Sequence, residues 1–464
     1  MKIYFVGICG IGMSGLAQAF ASIGWEVAGS DREISENGVN SALISQLKKG
    51  KIQIFPQNGS FIKYFIPDIL VYSTAIEQDN PDLNVAEGIR KIHRSEALNI
   101  FSQNLFGKIS IAVTGTSGKT TVSAWIAETL LRLKLSPTAI IGGNVVKFAD
   151  NKSPGNFLSG NGKYFVFEAD ESDKSLINYF CDYAVILNTG PDHYSIDEQN
   201  EIFAKFASSA KKAVICNYSL KSKIASSLSV SVYTFGKNTV KRDSHIQMLQ
   251  YISPSFSDDG KAHALVKIRQ NTLNITLPIT GEHNAINASA VLSLLQALGI
   301  NNNAITALEE FTGVRRRFNI VGKNKNGSLI VDDYAHNPDK IESCILTAKE
   351  LCKGRLFFIF QPHGYRPLAL MQDELKKRIK KVLSKNDIFI FLPVFYAGGT
   401  TSFNPKSQDV TAIFAKEGIN CRFYERRIFA ERFLINNSKE DDLIVVAGAR
   451  DNTLSQWAIK LVQT

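Results

Sequence analysis

The chain has few cysteines, no long block of one charge and no low-complexity or short-period repeat. Its 464 residues include 6 cysteines, and no C-x-x-C pair occurs, which excludes a zinc framework or dithiol redox motif of that spacing. The composition, 44% hydrophobic and 21% charged, excludes a disordered, collagen-like or coiled-coil chain. We therefore expect a globular cytoplasmic protein with reduced thiols and about three domains.

The charge is moderately basic. The chain has 53 Lys and Arg against 43 Asp and Glu, a net charge of +10, which favours anionic partners without indicating nucleic acid. The densest basic run, KRIKK near residue 380, is typical of a solvated helix face.

One apolar stretch could be mistaken for a signal peptide or a membrane span. No charged residue occurs from Ile3 to Trp25, but five glycines interrupt the stretch. Its start, KIYFVGI, predicts a buried strand, and Met13 to Ala21 predict a buried helix. No other stretch is long enough to cross a bilayer, so we expect no membrane association.

The sequence alternates strand and helix patterns in three successive cycles, which predicts an α/β protein with largely parallel sheets. We place the domains at residues 1–107, 108–318 and 319–464. Polar residues follow several of the predicted strands. Open parallel sheets bind ligands at that end of their strands.

The first glycine cluster, GICGIGMSG, lies between a predicted strand and a predicted helix. Gly7, Gly10 and Gly12 are spaced G-x-x-G-x-G, and Asp31 ends the next strand, where a Rossmann domain places its ribose-binding acid. Close approach of the backbone to a diphosphate requires glycines at such a turn. The alternative is a tight turn that binds nothing.

A second glycine-rich loop gives the strongest signal. The strand ISIAVTG runs into Gly115, Thr116, Ser117, Gly118, Lys119, Thr120 and Thr121, and a helix follows. Backbone N–H groups of such a loop cradle phosphates, the lysine reaches the β and γ phosphates, and the Thr120 hydroxyl binds Mg²⁺. Val113 occupies the place of the first glycine of the usual motif.

Two further strand ends carry possible metal ligands. One supplies Glu168, Asp170, Glu171 and Asp173, and the other supplies Asn188, Asp192 and His193. Carboxylates with phosphate oxygens and water suit Mg²⁺. A solvated acidic turn and a structural histidine are the alternatives. The segment GEHNAIN, with His283, Asn284 and Asn287, could face a nucleotide base or merely begin a helix.

Taken in order, these motifs resemble the Mur ligases. G-T-x-G-K-T-T, E-A-D-E-S-D, N-x-x-x-D-H, G-E-H-N-x-x-N, G-V-x-R-R-F and D-D-Y-A-H-x-P all occur, and the resemblance covers nearly the whole chain. The N-terminal G-I-x-G-I-G-M-S-G is most similar to the branch that joins L-alanine to UDP-N-acetylmuramate. The resemblance implies a Rossmann-like N-terminal domain that binds the UDP-sugar and a central P-loop-type ATPase domain. A Rossmann-like C-terminal domain would bind the amino acid and close over the UDP-sugar and the ATP.

The resemblance also implies the reaction and the residues that serve it. The muramate carboxylate would take the γ-phosphate of ATP, and the amine of L-alanine would attack the acyl phosphate, with Mg²⁺ or Mn²⁺ as the metal. Lys119, Glu168, His193 and His336 would be catalytic, with Thr120, Glu168 and His193 as metal ligands. ATP would be bound by residues 115–121 and by His283, Asn287, Arg316, Arg317 and Asp333. The UDP-sugar would be bound by Gly7, Gly10, Ile11, Gly12, Met13, Ser14, Asp31, Ser73 and Thr74. The substrate carboxylate and the amino acid would be contacted by Tyr334, His336, His363 and Arg366.

We expect a monomer or a dimer, without nucleic acid or membrane partners.

The sequence departs from the family pattern at several positions. Ser117 replaces a histidine of the phosphate loop, and Gly364 and Pro367 stand where the branch has two arginines, with Arg366 one place early. The last strand continues as G-A-R-D, with Arg450, in place of G-A-G-D. The departures keep open a ligase for another amino acid or for the recycled murein tripeptide, and a nucleotide-binding descendant without catalysis is a further hypothesis. The first domain taken alone would also suit a nucleotide-sugar dehydrogenase, which does not explain the phosphate loop.

Overall fold

In the computed structural model the chain forms two compact units. The first comprises Met1–Tyr251, His263–Pro278 and His283–Val314, and the second Ile252–Ala262, Ile279–Glu282 and Arg315–Thr464. The structure describes residues 1–32, 34, 38, 40–105, 107–171, 175–190, 195–224, 228–237, 245–257, 261–301, 303–396 and 402–464.

The first unit begins with a five-stranded parallel sheet. Its strands are β1 (Lys2–Val6), β2 (Glu26–Asp31), β3 (Gln53–Pro56), β4 (Ile69–Tyr72) and β5 (Arg90–His93), in the order β3-β2-β1-β4-β5. The helices are α1 (Ile11–Ser22), α2 (Ser41–Lys49), α3 (Pro81–Asn84) and α4 (Arg94–Asn104). The predicted apolar stretch is therefore strand β1 followed by helix α1, as its glycines indicated.

A ten-stranded sheet forms the rest of the first unit. Its strands are β6 (Ile109–Thr114), β7 (Thr138–Ile140), β8 (Phe157–Leu158), β9 (Tyr164–Glu168), β10 (Cys181–Ile186), β11 (Ala210–Asn217), β12 (Ser231–Lys237), β13 (Ile246–Ile252), β14 (Ala262–Ile268) and β15 (Asn271–Leu277). The order is β15-β14-β13-β12-β11-β10-β6-β9-β7-β8. The helices are α5 (Lys119–Arg132), α6 (Ile196–Ser208), α7 (Lys221–Ile224), α8 (Glu282–Ala297) and α9 (Ala304–Glu309). Strands β9, β6, β10, β11 and β12 pair in parallel, so their carboxyl ends meet at one edge.

The two sheets of the first unit share one apolar core. Phe20 of α1 and Phe101 of α4 meet edge to face with ring centroids 5.7 Å apart. Phe101 in turn contacts Phe165 of β9 at 5.5 Å. All three side chains are fully buried, and burying each stabilises the fold by roughly 2–3 kcal/mol. The phosphate loop and the first glycine cluster therefore belong to one packed body.

The second unit is built on a six-stranded sheet. Its strands are β16 (Asn319–Lys323), β17 (Leu329–Asp333), β18 (Leu356–Gln361), β19 (Ile388–Phe391), β20 (Cys421–Phe423) and β21 (Leu443–Gly448), in the order β16-β17-β21-β18-β19-β20. All pairs are parallel except β16 with β17. The helices are α10 (Pro338–Leu351), α11 (Tyr365–Val382), α12 (Ser407–Lys416), α13 (Arg427–Asn437) and α14 (Thr453–Val462). Apolar clusters cover both faces of this sheet.

The expected α/β fold class is confirmed, with three mostly parallel sheets. All six cysteines are free thiols. No helix among the described residues is both long enough and apolar enough to span a bilayer. The bounds of the three domains stay a prediction.

Candidate ATP and substrate site

The phosphate loop joins β6 to α5 through a backbone that requires glycine. Gly115 has φ +140° and Gly118 has φ +88°, a region that residues with a Cβ rarely adopt. A Cβ on Gly118 would also come within 2.9 Å of the Asn287 Oδ1 atom. The loop therefore brings bare backbone close to its neighbours at the N-terminus of α5, the arrangement that binds phosphates.

Asn188, just after β10, holds the outer part of this loop. Its Oδ1 accepts from the Ser117 N–H at 2.8 Å, its Nδ2 donates to the Ser117 carbonyl at 2.9 Å, and its own carbonyl accepts from the Thr116 N–H at 3.2 Å. The sequence offers Asn188 as a possible metal ligand, but its side-chain amide binds the loop backbone. Three bonds from one residue keep the loop open and preorganised.

Lys119 points back across the loop. Its Nζ donates to the Gly115 carbonyl at 2.8 Å and lies 2.8 Å from a carboxylate oxygen of Glu171. Burial lowers the pKa of Lys119, but the neighbouring carboxylates of Glu171 and Glu168 raise it further, so the net shift is upward. The ammonium is thus charged at neutral pH and lies against the loop backbone at Gly115.

Glu168 and Thr120 bring two oxygen-bearing side chains together beside the phosphate loop. The Thr120 hydroxyl donates to Glu168 Oε1 at 3.2 Å, and the Gly142 N–H donates to Glu168 Oε2 at 2.9 Å. A hydroxyl and a carboxylate beside a phosphate loop match the hard oxygen ligands that Mg²⁺ prefers. His193, the third predicted ligand, lies outside the described residues, as do Asp173 and Asp192. The described residues contain no group of three His, Cys, Asp or Glu side chains placed to hold a metal.

Sequence reasoning missed the pair Gly142–Gly143, which follows β7. A Cβ on Gly142 would lie 2.4 Å from Glu168 Oε2, and one on Gly143 would lie 2.7 Å from Thr120 Cγ2. The two glycines therefore allow the backbone to approach the candidate metal ligands. The signal in the sequence was a double glycine at the end of an apolar strand.

The first glycine cluster is arranged around Asp31. The N–H of Gly7, whose φ is +75°, donates to the Ser30 carbonyl at 2.8 Å, and the Cys9 N–H donates to Asp31 Oδ2 at 3.0 Å. Gly10 precedes the first turn of α1. Asp31 thus fixes the turn itself, so that the N-terminus of α1 is presented at the carboxyl edge of β1 and β2.

The next residues of the motif serve packing as well. Met13 and Ser14 are buried, whereas Ile11 is exposed. The Ser14 hydroxyl donates to the Gly10 carbonyl at 3.0 Å and accepts from Asn156 Nδ2 at 2.9 Å. Ser14 thereby links α1 to the second sheet of the same unit.

Arg94, also missed from the sequence, connects the two loops of the first unit. Its Nη2 donates to Asp170 Oδ2 at 2.6 Å, beside the candidate metal ligands. A Cβ on Gly12 would lie 3.5 Å from Arg94 Nη1. A guanidinium therefore lies between the glycine turn of the first sheet and the acidic end of β9.

The remaining predicted residues of the first unit lie at loop or helix ends. Ser73 and exposed Thr74 follow β4. His283 is exposed in the first turn of α8. Asn287 is buried on the same helix, against Gly118 and Asn284, whose Oδ1 accepts from Asn287 Nδ2 at 3.1 Å. Asn287 thus lies at the phosphate loop itself.

In the second unit, Asp333 fixes the backbone around the end of β17. Its carboxylate accepts from the Phe318 N–H at 2.6 Å and from the Ala335 N–H at 2.7 Å. Burial raises the pKa of Asp333, and the two N–H groups and Arg317 oppose that rise. The two backbone bonds shape the loop that carries Tyr334 and His336, and the carboxylate also contacts the Cys344 thiol.

His336 and His363 lie together at this sheet edge. Their ring centroids are 5.1 Å apart at 85°. His336 Nδ1 lies 2.9 Å from the Tyr334 carbonyl, so Nδ1 carries the proton and Nε2 keeps its lone pair. Burial and the Lys340 charge lower the pKa of His336 to about 3. The imidazole is neutral at pH 7 and offers an acceptor.

The two predicted arginines flank Tyr334. Arg316 and Arg317 stack over its ring with guanidinium carbons 5.0 and 5.3 Å from the centroid. Arg316 also lies 3.6 Å from Asp332 and donates to the Gly448 carbonyl.

Arg366, predicted at the substrate carboxylate, is exposed in the first turn of α11.

Family models match most of the chain. The model described as "Mur ligase family, catalytic domain" matches residues 2–104, "Mur ligase middle domain" matches 113–295, and "Mur ligase, glutamate ligase domain" matches 316–450.

Two relatives and two solved structures agree with those matches. The UDP-N-acetylmuramate–L-alanine ligase of Agathobacter rectalis is 32% identical over 463 residues, covering 97% of this chain and 95% of the relative. That of Carboxydothermus hydrogenoformans is 31% identical over 479 residues, covering 100% and 96%. The crystal structure of the UDP-N-acetylmuramate-alanine ligase of Thermotoga maritima superposes with a TM-score of 0.79 at 29% identity, covering 99% of this chain and 98% of that one. A murein peptide ligase of Psychrobacter arcticus has the same fold, with a TM-score of 0.70 at 22% identity, over 100% and 98% of the two chains. The chain belongs to the Mur ligase family.

Proposed function

We propose that this chain is the ligase that joins L-alanine to the muramate carboxylate of UDP-N-acetylmuramate, with hydrolysis of ATP to ADP and phosphate. The relatives at 31–32% identity over nearly their whole length carry that activity in their names. The product is an early precursor of peptidoglycan, so the reaction would take place in the cytoplasm.

One observation carries the proposal. Lys119, Thr120 and Glu168 converge at the N-terminus of α5, with the lysine 2.8 Å from Gly115 O and the hydroxyl 3.2 Å from Glu168. This set combines a cation, an anion-binding helix end and two oxygen ligands at one strand edge. A nucleotide-sugar dehydrogenase would have no use for it.

The residues act by positioning and by neutralising charge. The backbone of residues 115–118 and the Lys119 ammonium would bind the phosphates of ATP, and Thr120 and Glu168 would hold Mg²⁺. The metal supplies positive charge at the transferred phosphoryl group. Transfer of the γ-phosphoryl group to a muramate carboxylate oxygen breaks the bond to ADP and gives an acyl phosphate. Phosphoryl transfer needs little from the protein beyond these contacts.

The second step requires an amine without its proton. Attack of the L-alanine nitrogen on the acyl carbon gives a tetrahedral intermediate that expels phosphate. His336 is neutral and its Nε2 is free of the Tyr334 bond, so it would accept an N–H of the incoming amine. The carboxyl edge of β17 would therefore be the amino-acid side of the enzyme.

A panel of acceptors tests the proposal. Phosphate release would be measured with ATP, Mg²⁺ and UDP-N-acetylmuramate, and with each of L-alanine, other L- and D-amino acids and the murein tripeptide. We expect release with L-alanine, its loss in Lys119→Ala, and unchanged release in Lys152→Ala, which alters an exposed lysine.

The other outcomes separate the alternatives. Release only with the tripeptide would assign the chain to the recycling branch, to which the altered segment with Gly364 and Pro367 could point. ATP binding without release for any acceptor would show a descendant that has lost catalysis.

A further inference from the structure

Three strand ends meet at the edge of the second sheet. Strands β17, β21 and β18 are adjacent and parallel, and their last paired residues are Asp333 with Ala447 and Gln361 with Gly448. His363 and Arg450 each follow the pair Gln361–Gly448 by two residues, after the ends of neighbouring strands. Arg450 lies near enough to His363 to act on its charge, and His363 lies beside His336.

Arg450 has a backbone conformation that an arginine does not favour. Its φ is +60°, in the left-handed region where a Cβ causes strain. Two hydrogen bonds of Asp451 fix the backbone around Arg450. The Asp451 N–H donates to the Ala449 carbonyl at 2.7 Å, and Asp451 Oδ1 accepts from the Thr453 N–H at 2.9 Å. Glycine would adopt this φ without strain. The presence of arginine is therefore explained by a role of its side chain.

The surroundings of Arg450 lack a negative charge to balance it. Within the described residues Arg450 forms no ion pair, and it is exposed. Two carboxylates at this sheet edge have other partners. Asp333 accepts from two backbone N–H groups, and Asp451 is bound by Arg427 and Thr453.

His363 has an unused polar atom in the same place. In the described part of the chain its Nδ1 is buried without a hydrogen-bond partner. Burial, Arg450 and Lys340 lower the pKa of His363 to about 4. Arg450 and Lys340 therefore place two positive charges near His363, whose Nδ1 is unused, and cationic donors suit an anion.

We propose that Arg450 binds the carboxylate of the amino-acid substrate, with His363 as a second donor, and thereby makes the enzyme selective for a free carboxylate. This inference rests on the proposed function. Arg366 is the other arginine near the end of β18, but the charges that act on His363 are those of Arg450 and Lys340. A planar guanidinium binds a carboxylate through two parallel hydrogen bonds, which a single imidazole cannot do.

The test compares L-alanine with L-alaninamide, which has the amine but no carboxylate. At saturating ATP and UDP-N-acetylmuramate, we expect Arg450→Gly to lower kcat/KM for L-alanine roughly 10- to 100-fold and to leave that for L-alaninamide within about twofold. If the amide is not turned over, its inhibition constant against L-alanine replaces kcat/KM. Arg450→Lys should recover part of the loss, and Arg432→Ala, at an exposed arginine of α13, should change neither value.

A stability measurement rules out damage to the fold. Because glycine relieves the left-handed strain, Arg450→Gly should melt at a higher temperature than the wild type while it loses L-alanine. An equal loss for both substrates, or no loss for L-alanine, would overturn the proposal.

Failure of the proposed function would look different. If the wild type releases no phosphate with any acceptor, binding is still measured by following the His363 imidazole signals by NMR. A saturable shift with L-alanine that is absent with L-alaninamide and in Arg450→Gly would support the carboxylate site. The absence of any shift in the wild type, or the same shift with both compounds, would overturn it.

Discussion

Lys119 and Glu171 form a buried ion pair, with the ammonium nitrogen 2.8 Å from a carboxylate oxygen and Glu171 only 4% exposed. The pair lies across the phosphate loop, so phosphates that enter the loop would compete with Glu171 for the ammonium. Lys119 therefore has two partners. It pairs with Glu171 in the fold, and we propose that it binds ATP in catalysis.

Replacing Lys119 by Met should separate these two roles. The change removes the charge that would neutralise the phosphates of ATP, and we expect phosphate release to fall on the order of 10³-fold. It also leaves Glu171 buried without its cation, so the free energy of unfolding should fall by about 3 kcal/mol. Phosphate assays and denaturant unfolding measure the two effects.

A double variant provides the control. Lys119→Met with Glu171→Leu removes both charges and should regain most of the lost stability, because an apolar pair can replace a buried ion pair, but it should stay inactive. If the double variant were as unstable as the single one, the ion pair would not be the cause of the loss.

Glu168 should matter for the metal and little for the fold. Glu168→Gln keeps the shape and weakens an oxygen ligand, so we expect the Mg²⁺ concentration for half-maximal activity to rise at least about 10-fold. Glu128→Gln is the matched control in the same unit. Glu128 is fully buried but is bound to Arg132 and Thr312, so its loss should lower stability without changing the Mg²⁺ requirement.

Much of the first unit could be predicted because its motifs are local. The glycines at 115 and 118, the lysine and the first hydroxyl of α5 follow one another in the chain, and their chemistry depends on that order. The strand ends that carry Glu168 and Asn188 could be predicted as well, since apolar runs that end in polar residues place them at one sheet edge.

The partners of these residues could not be read from the sequence. Asn188 was a candidate ligand, and nothing local shows that its amide binds the backbone of Ser117, 71 positions away. Arg94 meets Asp170 across 76 positions. Such contacts depend on how helices pack on sheets, which periodicity does not specify. The strain at Arg450 could not be predicted either, because it depends on a backbone φ angle that the neighbouring residue types do not specify.

Removing the Asn188 amide should loosen the phosphate loop. Asn188→Ala deletes the side-chain bonds to the Ser117 N–H and carbonyl while the backbone contact to Thr116 remains. We expect the dissociation constant for ATP to rise about 10-fold, which corresponds to one or two lost hydrogen bonds. Fluorescent ATP analogues measure this, and Asn188→Asp, which keeps the acceptor and loses the donor, should lie in between or bind worse because its charge opposes phosphate. Unchanged ATP binding in Asn188→Ala would show that the loop is held without the amide.

The neutral state of His336 should make part of the stability depend on pH. An unfolded histidine titrates near its ordinary pKa of about 6.5, whereas the pKa of folded His336 is lowered to about 3. Between these values the unfolded chain binds a proton that the folded chain does not. The stabilisation is therefore complete above about pH 6.5 and is lost as the pH falls toward 3. His363 acts in the same direction, since its pKa is lowered to about 4.

Comparing the wild type with His336→Gln separates the pH-dependent contribution of His336 from the opposing contributions of buried carboxyls. Burial raises the pKa of Asp332 and Asp333, so those carboxyls favour the folded state as the pH falls, and they would mask the histidines in the wild type alone. The difference in unfolding free energy between wild type and His336→Gln should cancel them. We expect that difference to fall by about 2 kcal/mol from pH 7 to pH 5, at about 1.4 kcal/mol for each pH unit below 6.5. Urea unfolding at several pH values measures it, and a difference that does not change with pH would mean that His336 takes up its proton as readily in the folded chain as in the unfolded one.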